Sequence, residues 1–341
     1  MDPSPARAPG RAADSALMFA YIVRRALYAI PVLIGVNLIT FLLFFVVNTP
    51  DDIARMQLGA KRVTPEAIDT WKATHGYDRP YFHNAEESGL AAFTDTLFFQ
   101  KSVKVMAFDF GRSDGGRSIA ADIQARMGPS LALAIPTLLV GMAVNITFGL
   151  LLVFFRSTAI DWGGVVLCVV LMSISPLFYI IAGQFVAGKL MNLVPISGYA
   201  GGWDMAKFLV LPVVIGVVSG IGSGTRWYRT IFMEEYGKDY VRTARAKGMG
   251  DLRILFVHVL KNGMIPILTG VVVLLPLLFM GSLIMESFFG IPGLGSYTIE
   301  AIQNQDFAIV RAMVFLGSVL YIVGLLLTDI SYTLFDPRIR L

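Results

Sequence analysis

The sequence contains little cysteine, histidine or charge. It has one cysteine, Cys168, and three histidines, His75, His83 and His258, in 341 residues. One cysteine cannot build a disulfide framework, and three scattered histidines predict no Cys/His metal cluster. Only 15% of the residues are charged, whereas soluble domains have about 25%. Cys168 lies in an apolar run, and we interpret it as a small buried hydrophobic residue.

Motifs for nucleotide binding and for hydrolytic catalysis are also missing. The chain has no G-x-x-x-x-G-K-[ST] phosphate loop and no HExxH. Residues 109–111 spell the kinase triplet Asp-Phe-Gly, but no Gly-rich loop or HRD sequence accompanies them. The glycines Gly220, Gly222 and Gly224 do not form a dinucleotide fingerprint, and we predict a turn there. We therefore expect a chain that is not an enzyme and that binds no cofactor itself.

Apolar residues make up 55% of the chain and occur in long runs. The run over residues 26–47 is long enough, at about 1.5 Å per residue, to cross the roughly 30 Å hydrocarbon core. A signal peptide is the alternative, but its apolar region would be only about 7–15 residues long. We predict a flexible cytoplasmic N-terminal tail over residues 1–23 and a first transmembrane helix over 24–47. Further spans are predicted over residues 131–155, 165–187, 208–223, 264–289 and 309–334.

Residues 48–128 differ in composition, being charged and aromatic with many turn signals. A connection of this length is expected to carry structure of its own. Thr64 and Pro65 predict the cap and the first position of a helix that ends at Gly76. A second helix is predicted over 118–127, leading into the next span. We interpret residues 48–128 as an extramembrane lobe.

The distribution of Lys and Arg predicts the orientation in the membrane. Six spans place both termini on one side, and basic residues concentrate in loops on the inner side. Residues 225–262 contain eight Lys/Arg, whereas the short loops on the other side contain Lys189 and Lys207. We therefore predict that both termini and residues 225–262 are cytoplasmic and that the lobe is extracytoplasmic.

Residues 234–262, EEYGKDYVRTARAKGMGDLRILFVHVLKN, are basic and patterned as helices. A first helix is indicated by the spacing of Tyr236, Tyr240, Thr243 and Lys247. Gly248 and Gly250 then break it, and Asp251 is a plausible cap for a second helix over 252–261. The pattern predicts a helix, a glycine turn and a helix. An ordinary basic loop is the alternative that the residues alone leave open.

Residues 239–248, DYVRTARAKG, with Glu234 before them and His258 and Asn262 after them, resemble the EAA signature of binding-protein-dependent ABC importer permeases. The resemblance is to the peptide/nickel subgroup, in particular to B-type dipeptide, oligopeptide and microcin-type permeases. Arg242 stands where the wider signature has its leading Glu. Further strings similar to motifs of this family occur at residues 24–31, 77–80, 108–113, 292–295 and 336–339.

The resemblance implies an all-α membrane protein with the six transmembrane helices of the type I ABC importer fold. Residues 129–341 would form the five-helix permease core, with a coupling segment over 225–262. The chain would form half of a translocation path for di- and oligopeptides in the bacterial inner membrane. The implied partners are a second homologous permease, two cytoplasmic ATPase subunits that bind ATP-Mg, an extracytoplasmic solute-binding protein and membrane lipid.

The resemblance also implies which residues contact the ATPase. These predicted coupling residues are Glu234, Tyr240, Thr243, Ala244, Arg245, Ala246, Lys247 and Gly248. On this reading, Gly248→Trp or Ala244→Glu uncouples transport while the protein stays in the membrane. No substrate-binding residue is predicted. Three ionisable residues in predicted spans, Glu286, Arg311 and Asp329, are further candidates, since charge is costly inside a membrane.

Two alternative functions remain open from the sequence. A permease of the same family could import nickel or another small solute, because the binding protein selects the cargo. A chain of a different class, a membrane scaffold that does not transport, could dock a cytoplasmic protein through the same basic segment.

Overall fold

The computed structural model describes residues 11–59 and 63–335, with side chains over residues 23–59 and 63–331. Residues 1–10 of the predicted tail and the motif at 336–339 lie outside them. The described residues are helical apart from loops and one isolated bridge, between Arg112 and Ser118, which confirms the all-α prediction. The helices are α1 (Arg11–Phe41), α2 (Pro50–Leu58), α3 (Pro65–His75), α4 (Ala91–Thr94), α5 (Lys104–Met106), α6 (Ile119–Phe154), α7 (Ala159–Ser173), α8 (Pro176–Gly183), α9 (Met205–Tyr236), α10 (Asp239–Ala246), α11 (Asp251–Ile254), α12 (Leu260–Leu277), α13 (Leu283–Phe289), α14 (Leu294–Gln303) and α15 (Phe307–Phe335).

Five stretches of helix in the described chain are long and apolar enough to cross a membrane, and one bent pair makes a possible sixth. The bent pair is Ala159–Ser173 with Pro176–Leu190. Together they agree with the predicted six spans. The five stretches are Val23–Val47, Ile119–Phe154, Gly202–Tyr236, Asp251–Met280 and Phe307–Ser331.

The first helix begins earlier than the sequence predicts. It starts at Arg11, inside the stretch that we expected to be a flexible tail, and it continues as a π-helix from Leu42 to Val47. Residues 11–20 are rich in Ala and also contain Arg, Leu and Met. These residues have high intrinsic helix propensity, so extending the apolar helix through them costs little.

The third predicted span, residues 165–187, is broken rather than kinked. Its two helices meet at an angle of 87°. Ile174 and Ser175 between them are extended, with ψ of 130° and 139°. Pro176 has no N–H and disfavours the helical conformation in the residue before it. The break therefore falls directly before Pro176.

The fourth and fifth predicted spans have different limits from those expected. Helix α9 is continuous to Tyr236, so the turn predicted at the glycines of residues 220–224 is wrong. Glycine costs a helix only about 1 kcal/mol, which packing against a neighbouring helix can offset. The fifth span ends near Met280 instead of at 289, since Gly281 has a φ of +69° and α13 begins anew at Leu283.

The chain divides into two compact units, and the first comprises residues up to 122 together with those from 301 onward. In this unit α1 packs along α15. The predicted lobe contains α2–α5, and its residues 119–128 form the start of α6. Helix α3 has the predicted Thr64 cap and ends at Gly76 with a φ of +66°. An aromatic-rich core stabilises this unit, with Phe41, Phe45, Ile53, Tyr77 and Leu97.

The second unit comprises residues 123–300. Helix α7 packs closely on α9 in this unit. Their contact includes a partly buried ion pair, in which the Arg229 guanidinium donates from Nε and Nη2 to the two carboxylate oxygens of Asp161, each at 2.8 Å. Gly222 lies where the helices are closest, and a Cβ there would be 2.5 Å from the carbonyl oxygen of Cys168. The glycine therefore allows the two backbones to meet.

Gly222→Ala is expected to force α7 and α9 apart, because the added carbon meets backbone atoms that cannot move alone. We expect the free energy of unfolding to fall by about 1–3 kcal/mol, the usual cost of overpacking. The control is Gly220→Ala on the same helix, where a Cβ meets nothing within 4 Å. Thermal unfolding in detergent, followed by tryptophan fluorescence, measures both. Equal melting temperatures for the two variants would contradict the close contact.

Candidate functional site

The segment of residues 234–262 joins two long helices of the second unit. Helix α9 ends at Tyr236, and Lys238 is extended, with ψ of 156°, before α10 begins at Asp239. After α10 a glycine turn leads into α11, which continues through a π-helical turn into α12. The predicted helix, turn and helix are present. The first predicted helix is, however, divided at Gly237, and the second continues far beyond residue 261.

The inner face of α10 is buried in an apolar cluster. Val241 is fully buried and Ala244 is 5% exposed. Both belong to a cluster that includes Phe232 from α9 and Ile254 and Val259 from the segment after the turn. Helix α10 is therefore packed against both long helices that it connects. A displacement of α10 has to move its neighbours, because a packed interior has few voids in which to absorb it.

Glu235 fixes the start of α10 to the end of α9. Its side chain is nearly buried and accepts hydrogen bonds from Tyr240 Oη at 2.6 Å and from Lys238 Nζ. Burial, and then the hydrogen bond to Glu235, raises the pKa of Tyr240 to about 12. The tyrosine therefore stays a hydrogen-bond donor across the physiological pH range.

A second set of polar contacts is centred on Tyr236, the last residue of α9. The Tyr236 hydroxyl donates to Asp251 Oδ1 at 3.2 Å, and Arg245 contacts both the hydroxyl and this carboxylate. The Arg156 guanidinium lies over the Tyr236 ring, with Cζ at 3.9 Å from the centroid. Asp251 is not the predicted cap, because Gly250 occupies the N-cap position and Asp251 is the first helical residue. Its carboxylate instead joins the end of α9 to the turn.

Gly248 ends α10 in a backbone motif that favours glycine. Its φ is +80°. Its N–H donates to the carbonyl of Arg245 at 2.9 Å, and the N–H of Met249 donates to the carbonyl of Ala244 at 3.2 Å. This pair of bonds is a Schellman motif, which satisfies two carbonyls at a helix end. A side chain at Gly248 would meet no atom within 4 Å, so the positive φ is what requires glycine in this chain.

The predicted coupling residues lie in different environments. Ala244 is buried in the apolar cluster, and Tyr240 is partly buried with its hydroxyl bound to Glu235. Ala244→Glu would therefore place a carboxylate in the core and disrupt packing, so it does not test docking. Those exposed on the surface are Glu234, Thr243, Arg245, Ala246, Lys247 and Gly248. Their role as contacts stays a prediction.

Glu235, Tyr236, Asp251 and Arg156 were not predicted to hold this segment in place. Tyr236 and Asp251 had been assigned only local helical roles. The alternation of acidic and aromatic residues in EEYGKDY was a signal that could have found Glu235. Arg156 is 80 positions before Tyr236 in the chain, and no local pattern connects the two.

The three ionisable candidates in predicted spans lie in different environments. Glu286 is fully buried inside the protein. Its carboxylate accepts hydrogen bonds from Ser130 Oγ at 2.8 Å and from the backbone N–H groups of Ser282 and Ser296 at 3.1 and 3.0 Å. Asp329 forms an ion pair with Arg25, with 2.7 Å between Oδ2 and Nε. Arg311 is also buried, at 5% exposure.

The 292–295 string, PGLG, wraps around the Glu286 carboxylate. A Cβ at Gly293 would be 2.3 Å from Glu286 Oε2, and one at Gly295 would be 2.6 Å from the backbone of Ser282. Glycine at these positions therefore leaves space for the buried carboxylate and for the chain beside it. Beside this group lies a cavity of about 380 Å³ within the second unit, with mostly apolar walls from α6, α9 and α12.

Among the residues that the structure describes, no group of three or more His, Cys, Asp or Glu side chains is placed to hold a metal ion. The features described above instead define a helical membrane protein that presents a short, basic, firmly packed helix between two long apolar helices. The comparison with known protein families agrees with this class. Residues 130–341 match the family "Binding-protein-dependent transport system inner membrane component" and residues 18–126 match "Binding-prot-dependent transport system membrane comp, N-term". The chain belongs to this family of transport permeases.

Curated relatives align over nearly the whole chain. The oligopeptide transport system permease protein AppB of Bacillus subtilis is 27% identical over 95% of this chain and 100% of its own length. A putative peptide transport system permease protein of Brucella melitensis is 29% identical over 95% and 99%. The dipeptide transport system permease protein DppB of Escherichia coli K12 is 27% identical over 95% and 99%.

Gly248→Ala is expected to loosen the end of α10, because a left-handed conformation costs a non-glycine residue about 1–2 kcal/mol. The matched control is Gly250→Ala, two residues away, at a φ of −69° and with nothing within 4 Å of the added Cβ. Hydrogen exchange of residues 239–249 should accelerate about tenfold in the first variant and little in the second. The same protection in both variants would contradict the role of the Schellman turn.

Proposed function

We propose that this chain is a permease subunit of a peptide-importing ABC transporter and forms half of its translocation path. The names of the relatives support the cargo, since AppB and DppB are described as oligopeptide and dipeptide permeases. Their alignment over 95% of the chain includes both the lobe and the core helices. The family description supports a transport system that depends on a binding protein.

A second homologous permease completes the path in this proposal, because one chain of this size supplies only six spans. Two ATPase subunits bind ATP-Mg on the cytoplasmic side, and a solute-binding protein delivers peptides on the other side. The chain itself needs no cofactor. The excess of Lys and Arg over residues 225–262 supports a cytoplasmic position for α10 and for both termini, in accordance with the positive-inside rule.

The packing of α10 is the observation that supports coupling most strongly. Val241 and Ala244 are buried, while Thr243, Ala246 and Lys247 on the other face are exposed. The exposed face combines small residues, which allow close approach, with positive charge. A partner that binds this exposed face contacts a helix that is already packed against α9 and α12.

This arrangement suggests how ATP binding reaches the membrane. Closure of the ATPase pair moves the two surfaces on which the α10 helices sit. Because α10 is packed against α9 and α12, its movement favours one arrangement of the membrane helices over another. The ATPase thus shifts the equilibrium between inward-open and outward-open states through its different contacts in each state.

Ala246→Trp is expected to block docking, because an indole ring on the exposed face of α10 separates the two surfaces. The measurement is peptide-stimulated ATP hydrolysis and peptide uptake by the assembled complex in liposomes. We expect uptake to fall at least tenfold, since a loss of about 1.4 kcal/mol in docking energy suffices.

The matched control is Ala159→Trp, at the start of α7, where alanine is also exposed but lies outside the 234–262 segment. This variant should transport as the unmodified chain does. Normal ATP-dependent uptake by the Ala246 variant would refute the assignment of α10. A chain that copurifies with an ATPase but never supports uptake of oligopeptides would instead favour the scaffold function.

A further inference from the structure

The first unit contains a basic cavity of about 220 Å³ that the proposed transport function does not use. Its wall carries five basic side chains against one acidic one, Asp109. The basic residues of the wall are Arg79, Lys101, Lys104, Arg112 and Arg311. A concave surface of one charge sign focuses the electrostatic field and attracts counter-ions.

Arg311 lies at the base of this cavity. Arg311 is only 5% exposed, and its Nε and Nη1 have no hydrogen-bond partner among the described residues. The guanidinium lies over the Phe45 ring, with Cζ 4.5 Å from the centroid. A buried charge is normally paired or fully hydrogen-bonded. Within the described part of the chain, the Nε and Nη1 donors of Arg311 therefore remain available for an added group.

The surroundings of Arg311 contain further unpartnered polar atoms. Tyr77 Oη and Asp114 Oδ2 are buried without hydrogen-bond partners in the described part of the chain. Burial, and next the proximity of Asp306, raises the pKa of Asp114 to about 6. Burial, and next the proximity of Arg311, lowers the pKa of Lys101 to about 8. Acidic and basic groups are therefore crowded together here, and a bound anion would offset the repulsion between Arg311 and Lys101.

The other basic groups of the wall differ in how far they are already neutralised. Arg79 Nε lies 3.0 Å from Asp95 Oδ1, so its charge is compensated. Lys101 Nζ donates to the carbonyl oxygen of His75 at 2.9 Å, and Arg112 Nη1 donates to that of Gly116 at 2.9 Å. These bonds orient Lys101 and Arg112 without removing their charge.

The cavity lies at the end of two membrane-crossing stretches of the first unit. One stretch ends at Val47, and the other begins at Phe307. Ala308 and Arg311 are in the first turns of the latter, within about 6 Å of its start at 1.5 Å per residue. Phe108, beside the cavity wall, is 54% exposed. The polar headgroups of a bilayer begin where such apolar stretches end.

We propose that this cavity binds one phosphate group, with Arg311 at its base and Lys101, Lys104 and Arg112 around it. The planar guanidinium matches the geometry of phosphate oxygens, and ammonium groups add charge at the rim. The phosphate belongs either to a phospholipid headgroup or to free inorganic phosphate. This site is separate from the ATPase-docking face of α10 and does not rest on it.

The test uses the full-length chain with Lys104→Gln and Arg112→Gln together, because both residues lie on the accessible rim and their loss should not unfold the protein. Arg311→Lys is the second variant, which keeps the charge but loses the planar fork. The control carries Arg55→Gln and Arg117→Gln, two exposed arginines of the same unit that do not line the cavity. Thermal unfolding of every variant is measured first.

Two probes distinguish the sources of the phosphate. Native mass spectrometry counts the lipids retained from nanodiscs of phosphatidylcholine alone or mixed with phosphatidylglycerol. Calorimetry in neutral detergent measures binding of inorganic phosphate at constant ionic strength. We expect the rim variant to bind about thirtyfold more weakly than the control, which equals about 2 kcal/mol.

Each outcome decides the proposal. Retention of anionic lipid by the wild type and the control, but not by the rim variant, supports a headgroup site. Stoichiometric binding of inorganic phosphate with the same dependence on the variants supports a free-phosphate site. If neither probe distinguishes the rim variant and Arg311→Lys from the control, the proposal is wrong, and water satisfies the buried polar atoms instead.

Discussion

The candidate coupling site depends on the burial of Val241 and Ala244, which lie on the inner face of α10. These two residues pack in the cluster that also holds Phe232 and Ile254, and burying a side chain as large as valine stabilises its packed position by about 1.5–3 kcal/mol. An exposed basic loop without this inner face would move independently of the membrane helices. The packed helix instead makes the end of α9, α10 and the start of α12 one mechanical element.

Polar groups strengthen this element at both ends. Glu235 binds Tyr240 at the start of α10, and Asp251 binds Tyr236 beyond the glycine turn. The same principle applies elsewhere in the second unit, where the buried carboxylate of Glu286 accepts hydrogen bonds from backbone N–H groups in a break between helices. In a membrane protein such breaks need internal partners, because lipid provides none. The PGLG string leaves room for that carboxylate.

Much of the fold could be predicted from the sequence because its signals are local. Apolar runs identified the spans, and Thr64 with Pro65 identified the start of α3. Gly248 marked the turn after α10. These features depend on residues within a few positions of one another, where helix propensity, capping and hydropathy decide the structure.

The remaining features depend on contacts between distant residues. The glycines of residues 220–224 look like a turn in isolation, yet Gly222 serves close packing on α7. Nothing local shows that Ala244 points inward while Ala246 points outward, since the two alanines are equivalent until the neighbours of α10 are known. Arg156 approaches Tyr236 from another part of the chain for the same reason. The resemblance to importer permeases located the segment but not its inner and outer faces.

The central claim is that α10 presents one face to a partner and buries the other. Site-specific cross-linking from single cysteines tests it most directly, in the assembled complex with Cys168 replaced by alanine. Ala246→Cys on the outer face should cross-link to an ATPase subunit, with a yield that changes when ATP is added. Ala244→Cys, two residues earlier on the buried face, should not. Equal cross-linking from both positions, or cross-linking from Ala244→Cys alone, would contradict the account.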